Sequence, residues 1–182
     1  MNLKRLQKMS YFLHIALKIL SVGSVIMAIL VVLMKLFSSK NVMTNKLESD
    51  TFFNFQTEYF SGVDMQRYTQ TKEWILVSVA VFSAILIAYL LWIASMIFKD
   101  LAEEFTPFSD VEVNRLRRIS YLLLIYALAP QIMYSILHTV LIAGYSITFG
   151  LNMSFFFALI FYCLTEIFRY GASLQKESDE TL

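Results

Sequence analysis

Four long apolar runs dominate the sequence, and polar residues collect in the segments between them. We place these runs at about residues 15–37, 74–98, 119–143 and 147–168. A helix rises about 1.5 Å per residue, so about 20 apolar residues cross a hydrocarbon core about 30 Å thick. The pattern therefore predicts an all-α membrane protein with four transmembrane helices, built as one membrane domain over residues 1–182.

No charged residue marks the boundary between the third and fourth runs, because the whole stretch between Arg118 and Glu166 is uncharged. This uncharged stretch is too long for one helix of about 20 residues. The residues typical of a tight turn are Gly144, Tyr145, Ser146, Gly150 and Asn152. We therefore expect two spans joined by such a turn.

The polar segment at residues 38–73, which we expect to be an outer loop, is rich in aromatic residues. Three interpretations fit it: a short hairpin around Phe60, an aromatic belt in the headgroup layer, or a cap that binds a peptide or lipid. The candidate ligand residues are Phe52, Phe53, Phe55, Tyr59 and Phe60.

The segment at residues 99–118, here called the elbow, joins the second and third runs. Pro107 predicts the end of one helix, because proline lacks an amide hydrogen and disfavours helix at the preceding residue. Ser109 and Glu112 have the spacing of a capping box, which predicts that the next helix begins there. Arg115, Arg117 and Arg118 then precede the third apolar run.

Charge along the chain predicts the orientation. Most Lys and Arg residues outside the apolar runs lie in the amino-terminal segment, the elbow and the tail at residues 169–182. Because positive residues favour the cytoplasmic side, both termini and the elbow are expected to be cytoplasmic. We expect a multi-pass membrane protein.

Composition supports the membrane assignment and narrows the chemistry. The chain is 58% hydrophobic and 16% charged, with a net charge of +1, which argues against a nucleic-acid-binding protein. Cys163 is the single cysteine, so an intramolecular disulfide and a multi-cysteine metal site are excluded. We expect no cofactor.

Two polar features lie in or beside the apolar runs. His138 is either a functional residue or, as we expect, the partner in an interhelical hydrogen bond. Glu166 and Arg169 have the spacing of a neutralising pair. Glu103 and Glu104 together with His138 lack the second histidine that a membrane metalloprotease needs, so we expect no enzyme activity.

Two motifs resemble a known family. The elbow contains Pro107-Phe108-Ser109 followed by Asn114-Arg115-Leu116-Arg117, and the chain ends with the pattern F-R-x-G-x-x-L-Q-x-E from Phe168 to Glu177. Both are similar to the bacterial membrane proteins grouped as domain of unknown function 2975. The resemblance covers the four-span layout of nearly the whole chain, although Thr106 stands where members often have glycine.

The resemblance implies a multi-pass protein of a bacterial inner membrane, and members are often encoded beside a small helix-turn-helix regulator. The chain would then be a sensor or sequestering partner of such a regulator, without binding nucleic acid itself. The alternative is a transport accessory or membrane immunity protein that binds a peptide or lipid at the outer aromatic segment. The candidate docking residues are Pro107, Phe108, Ser109, Asn114, Arg115, Arg117, Arg118, Arg169, Gly171, Gln175 and Glu177.

Overall fold

The computed structural model describes residues 3–37, 51–61, 65–103, 110–142 and 144–180. Within these ranges lie four helices, α1 (Leu3–Phe37), α2 (Met65–Glu103), α3 (Asp110–Leu141) and α4 (Met153–Glu180). Each helix is long and apolar enough to cross a membrane. The prediction of four such helices is confirmed, and the chain has the architecture of a multi-pass membrane protein. The orientation of its termini stays a prediction.

The helices stand in a row rather than in a closed bundle. α1 packs against α2, α2 against α3, and α3 against α4, and among the described residues α1 and α4 share no extensive contact. The first contact is close because Ser21 of α1 donates a hydrogen bond of 2.8 Å to the carbonyl oxygen of Ala88 in α2. Small side chains allow two backbones in a membrane to approach in this way.

Two strands form an antiparallel sheet beside the first residues of α2 and α4 and the last residues of α3, and this side of the molecule is here called the sheet end. They are β1 (Thr51–Phe60) and β2 (Gly144–Asn152), and the register pairs Glu58 with Ser146 and Phe60 with Gly144. The opposite side, where α2 ends and α3 begins, is called the elbow end. The hairpin interpretation of the outer segment does not hold for β1, since its partner is β2.

β2 corrects the prediction made for residues 144–152. These residues form a strand instead of a tight turn, and the fourth helix begins at Met153 rather than at 147. The physical reason is an alternation that the glycines conceal: Tyr145, Ile147 and Phe149 point to one face of the sheet, while the small or polar residues between them point to the other. α4 also continues to Glu180, so most of the predicted tail is helical.

Candidate functional site beneath the sheet

Three hydrogen-bond donors meet at one carboxylate oxygen beneath the sheet. Oε1 of Glu58 accepts hydrogen bonds from the Tyr68 hydroxyl at 2.5 Å and from Nζ of Lys72 at 2.7 Å, both on α2. Nε2 of His138, on α3, lies 3.0 Å from the same oxygen. Glu58 therefore connects β1 to the two central helices of the row.

His138 is completely buried at this site. The rings of Tyr68 and Tyr134 lie beside it, with centroids 6.2 and 5.7 Å away. Since Nε2 faces a carboxylate, we assign the ring hydrogen to Nε2, and Nδ1 has no hydrogen-bond partner in the part of the chain that the structure describes. The expected interhelical hydrogen bond is thus replaced by one to Glu58 of β1, a side chain that also accepts hydrogen bonds from α2.

The protonation of Glu58 follows from its neighbours. Partial burial favours the neutral carboxyl, but the hydrogen bonds from Lys72 and Tyr68 and the charge of Lys72 outweigh burial, so the pKa of Glu58 is lowered. Glu58 is therefore an anion at neutral pH. Lys72 supplies its counter-charge through an ion pair of 2.7 Å.

A polar stripe on α3 holds β2 in place. The amides of Gly150, Thr148 and Ser146 donate hydrogen bonds to the side chains of Gln131, Ser135 and Thr139, at 2.5, 3.0 and 3.5 Å respectively. Gln131 also donates to the carbonyl oxygen of Gly150 at 2.8 Å.

The spacing of this stripe matches the geometry of the strand. Four helical residues advance about 6 Å and two strand residues about 6.7 Å, so every fourth side chain of α3 reaches every second amide of β2. On the edge of β2 that does not pair with β1, three amides and the carbonyl oxygen of Gly150 thus have side-chain partners, which an unpaired strand edge otherwise lacks.

The opposite face of the sheet is aromatic and exposed. Phe53, Phe55 and Tyr59 of β1 are each more than half exposed, and Phe52 is 66% exposed. The rings of Tyr59 and Tyr145 stack across the strands with centroids 5.8 Å apart. The candidate ligand residues thus share one strand but divide between two environments, since Phe60 is half-buried against Tyr68.

The arginine that we expected to lie free for docking in the elbow is held by the protein itself. One guanidinium nitrogen of Arg115 donates to Asp100 at 2.6 Å, to Glu112 at 2.8 Å and to the Met96 carbonyl oxygen at 3.3 Å. Arg115 thus joins α3 to α2 at the elbow end. Arg117 lies 3.8 Å from Glu166, which also pairs with Arg169 as the sequence predicts.

The other candidate docking residues are scattered or lie outside the described ranges. Asn114, Arg118 and Glu177 are exposed, and Gly171 is half-buried in α4. Pro107, Phe108 and Ser109 lie outside the described residues, as does the capping box that Ser109 would form, and the side chain of Gln175 is not described.

The cluster beneath the sheet links β1 to α2 and α3 through an ion pair and hydrogen bonds. It combines the Glu58 carboxylate, the Lys72 ammonium group and the buried His138 ring, and this arrangement attaches β1 to the two central helices. The described ranges contain no group of three His, Cys, Asp or Glu side chains placed to hold a metal ion.

His138 is recognisable in the sequence, but its partners Glu58, Tyr68 and Lys72 are not, because they lie in a segment whose most prominent feature is its aromatic residues. The signal that could have identified Glu58 is the alternation of Phe53, Phe55 and Tyr59 with Asn54, Gln56 and Glu58, which is typical of a strand with one polar face.

The model of one protein family matches the chain. It is described as "Protein of unknown function (DUF2975)" and covers residues 64–182, about two thirds of the chain. The match thus begins after β1 and does not include α1, so it is shorter than the resemblance that the two motifs suggest. No curated protein and no solved structure matches the chain.

Proposed function

Since this chain belongs to the DUF2975 family, whose function is unknown, we propose its role from its own geometry: a non-catalytic membrane sensor that transmits a change at the sheet end to a partner at the elbow end. The partner we propose is a small cytoplasmic helix-turn-helix regulator. In this proposal the sheet end faces outward and the elbow end faces the cytoplasm.

The observation that carries the proposal is the convergence of three donors on Glu58. Lys72 and Tyr68 belong to α2 and His138 belongs to α3, so a change at one carboxylate acts on both central helices. Arg115 joins the same two helices at the elbow end. Two helices that are fixed to each other at both ends can transmit a displacement between those ends.

The elbow end offers charged groups to a partner. Asn114 and Arg118 are exposed there, and Arg117 and Arg169 surround Glu166. Such a surface of mixed charge favours a partner of complementary charge, since electrostatic complementarity sets specificity.

The experiment is photocross-linking in living cells from an unnatural residue at Arg118, which is exposed at the elbow end. The matched control carries the same residue at Tyr121, one turn further along α3 and within the apolar run. We expect capture of a small DNA-binding protein from position 118 and of lipid from position 121. Lipid alone at both positions would contradict the proposed partner.

The sensing step is tested separately with Glu58→Gln. This variant leaves the elbow intact, so a change in cross-linking yield at position 118 would result from transmission along α2 and α3. We expect the yield to change at least twofold. An unchanged yield, with the same partner captured, would exclude the sheet end as the sensing element.

A further inference from the structure

We propose that the sheet lies within the outer leaflet of the membrane and that its aromatic face binds lipid acyl chains. Its exposed side chains are Phe53, Phe55, Tyr59, Tyr145, Ile147 and Phe149, and the half-buried Thr57 and Leu151 lie on the same face. The proposed ligand is the part of a phospholipid just below its headgroup.

The depth of the sheet follows from its attachment to α3. A span of about 20 residues that begins at Ile119, directly after Arg118, reaches the far side of the hydrocarbon core near residue 138. Gln131 is seven residues before that point, which is about 10 Å deeper. Because Gly150 is bonded to Gln131, β2 reaches the same depth.

The polarity of the sheet is inverted relative to that of a soluble protein. In β2 the inward face carries Ser146, which is buried against the helices, and Thr148, which is half-buried, whereas the outward side chains of Tyr145, Ile147 and Phe149 are exposed. A soluble sheet would turn these faces the other way, with its apolar side toward the core. An exposed apolar face of this kind is favourable where lipid, rather than water, surrounds the protein.

The amides of Ser146, Thr148 and Gly150 in β2 have the hydrogen-bond partners that a lipid environment requires. Hydrocarbon offers no hydrogen-bond partners, so strands at this depth need protein partners along their edges. β2 has β1 on one edge and the Gln131, Ser135 and Thr139 side chains on the other.

A lipid fits the face better than a peptide does. The outward side chains carry no charge that could recognise a peptide terminus or charged side chain. The apolar surface also continues onto α4, because the ring of Phe52 packs edge-on against that of Phe156 at 5.2 Å, and Phe157 is half exposed.

The test is tryptophan fluorescence in vesicles. Trp74 and Trp92 are replaced by phenylalanine, and a single tryptophan is introduced by Phe149→Trp or, independently, by Ile147→Trp. The matched control is Tyr170→Trp, because Tyr170 is 67% exposed on α4 beyond Arg169. The vesicles contain phosphatidylcholine and phosphatidylglycerol with acyl chains brominated near their carbonyl ends, and iodide is the aqueous quencher.

We expect bromine to quench both sheet tryptophans at least twofold more than the control, and iodide to quench only the control. Stronger quenching by iodide at the sheet would show that the face contacts water and would overturn the proposal. Protection from both quenchers would also overturn it, since a peptide or a second copy of the chain would then cover the face. Circular dichroism of each variant verifies that its helices are retained.

Discussion

At the scale of single residues, one carboxylate oxygen of Glu58 accepts donors from two helices. Glu58→Gln keeps the size of the side chain but removes the charge that Lys72 neutralises. Hydrogen bonds to charged groups contribute about 1.5–3 kcal/mol and neutral ones about 0.5–1.5 kcal/mol, and glutamine still accepts these bonds, so we expect the free energy of unfolding to fall by about 1–1.5 kcal/mol. Reversible unfolding in mixed micelles measures it.

The control for this substitution is Glu103→Gln, which makes the same chemical change in an exposed pair. Glu103 lies 3.7 Å from Lys99, and both side chains are more than half exposed. Exposed pairs contribute little, so this variant should differ from the native protein by less than about 1 kcal/mol. Equal losses in the two variants would show that burial beneath the sheet adds nothing.

The lowered pKa of Glu58 gives the sign of a pH effect. The ordinary value is 4.5 and the folded value is lower, so the carboxylate contributes stability that is fully present above pH 4.5 and is lost as the pH falls through the folded pKa. We expect the native protein to lose more stability below pH 4.5 than Glu58→Gln does. Unfolding measured across this range compares them, and parallel curves would argue against the effect.

At the scale of the elements, two glycines provide opposite outcomes for one substitution. A Cβ at Gly144 would collide with the backbone carbonyl oxygen of Tyr59, whereas a Cβ at Gly23 in α1 meets no atom within 4 Å. Gly144→Ala should therefore separate the strands where Phe60 pairs with Gly144 and destabilise the sheet. Gly23→Ala should be neutral or stabilise by up to about 1 kcal/mol, because alanine favours helix.

Amide hydrogen exchange distinguishes these two variants. We expect faster exchange along β1 and β2 in Gly144→Ala and unchanged exchange there in Gly23→Ala. Slow exchange of β1 in Gly144→Ala would show that the strands shift without separating.

The helices and the strands differ in how far the sequence predicts them. Four helices follow from runs of about 20 apolar residues, a local signal that the membrane makes strong. The strands depend on a pairing between Glu58 and Ser146 that is remote in sequence, and Gly144, Gly150 and Asn152 make β2 resemble a turn. The role of Gln131, Ser135 and Thr139 as hydrogen-bond acceptors can be recognised only once β2 is known to lie beside them.

At the scale of the whole molecule, the row of helices predicts which of them can be cross-linked. Ser21 lies against Ala88, so Ser21→Cys with Ala88→Cys should form a disulfide in a chain whose Cys163 is replaced by serine. Ser21→Cys alone should form none with the native Cys163, which is exposed on α4. Oxidation followed by gel electrophoresis measures both, and a 21–163 bond would indicate a closed bundle.

The candidate site also depends on contacts between elements that are remote in sequence. His138 was recognisable as the titratable residue within its apolar run, but its environment is assembled from β1, α2 and α3. Arg115 shows the reverse case: its charge is evident in the sequence, whereas its contacts with Asp100 and Glu112 turn an expected docking residue into a link between helices.

The pairing of β1 with β2 also sets an order of assembly. β1 leaves the ribosome before α2, α3 and β2, so its partner strand does not yet exist while the first half of the chain is made. The polar stripe of α3 likewise waits for β2, although α3 is already synthesised. The sheet therefore closes only after α3 and β2 have been synthesised, and a chain that stops before Gly144 leaves the aromatic strand and the polar stripe unpaired, two surfaces that favour aggregation.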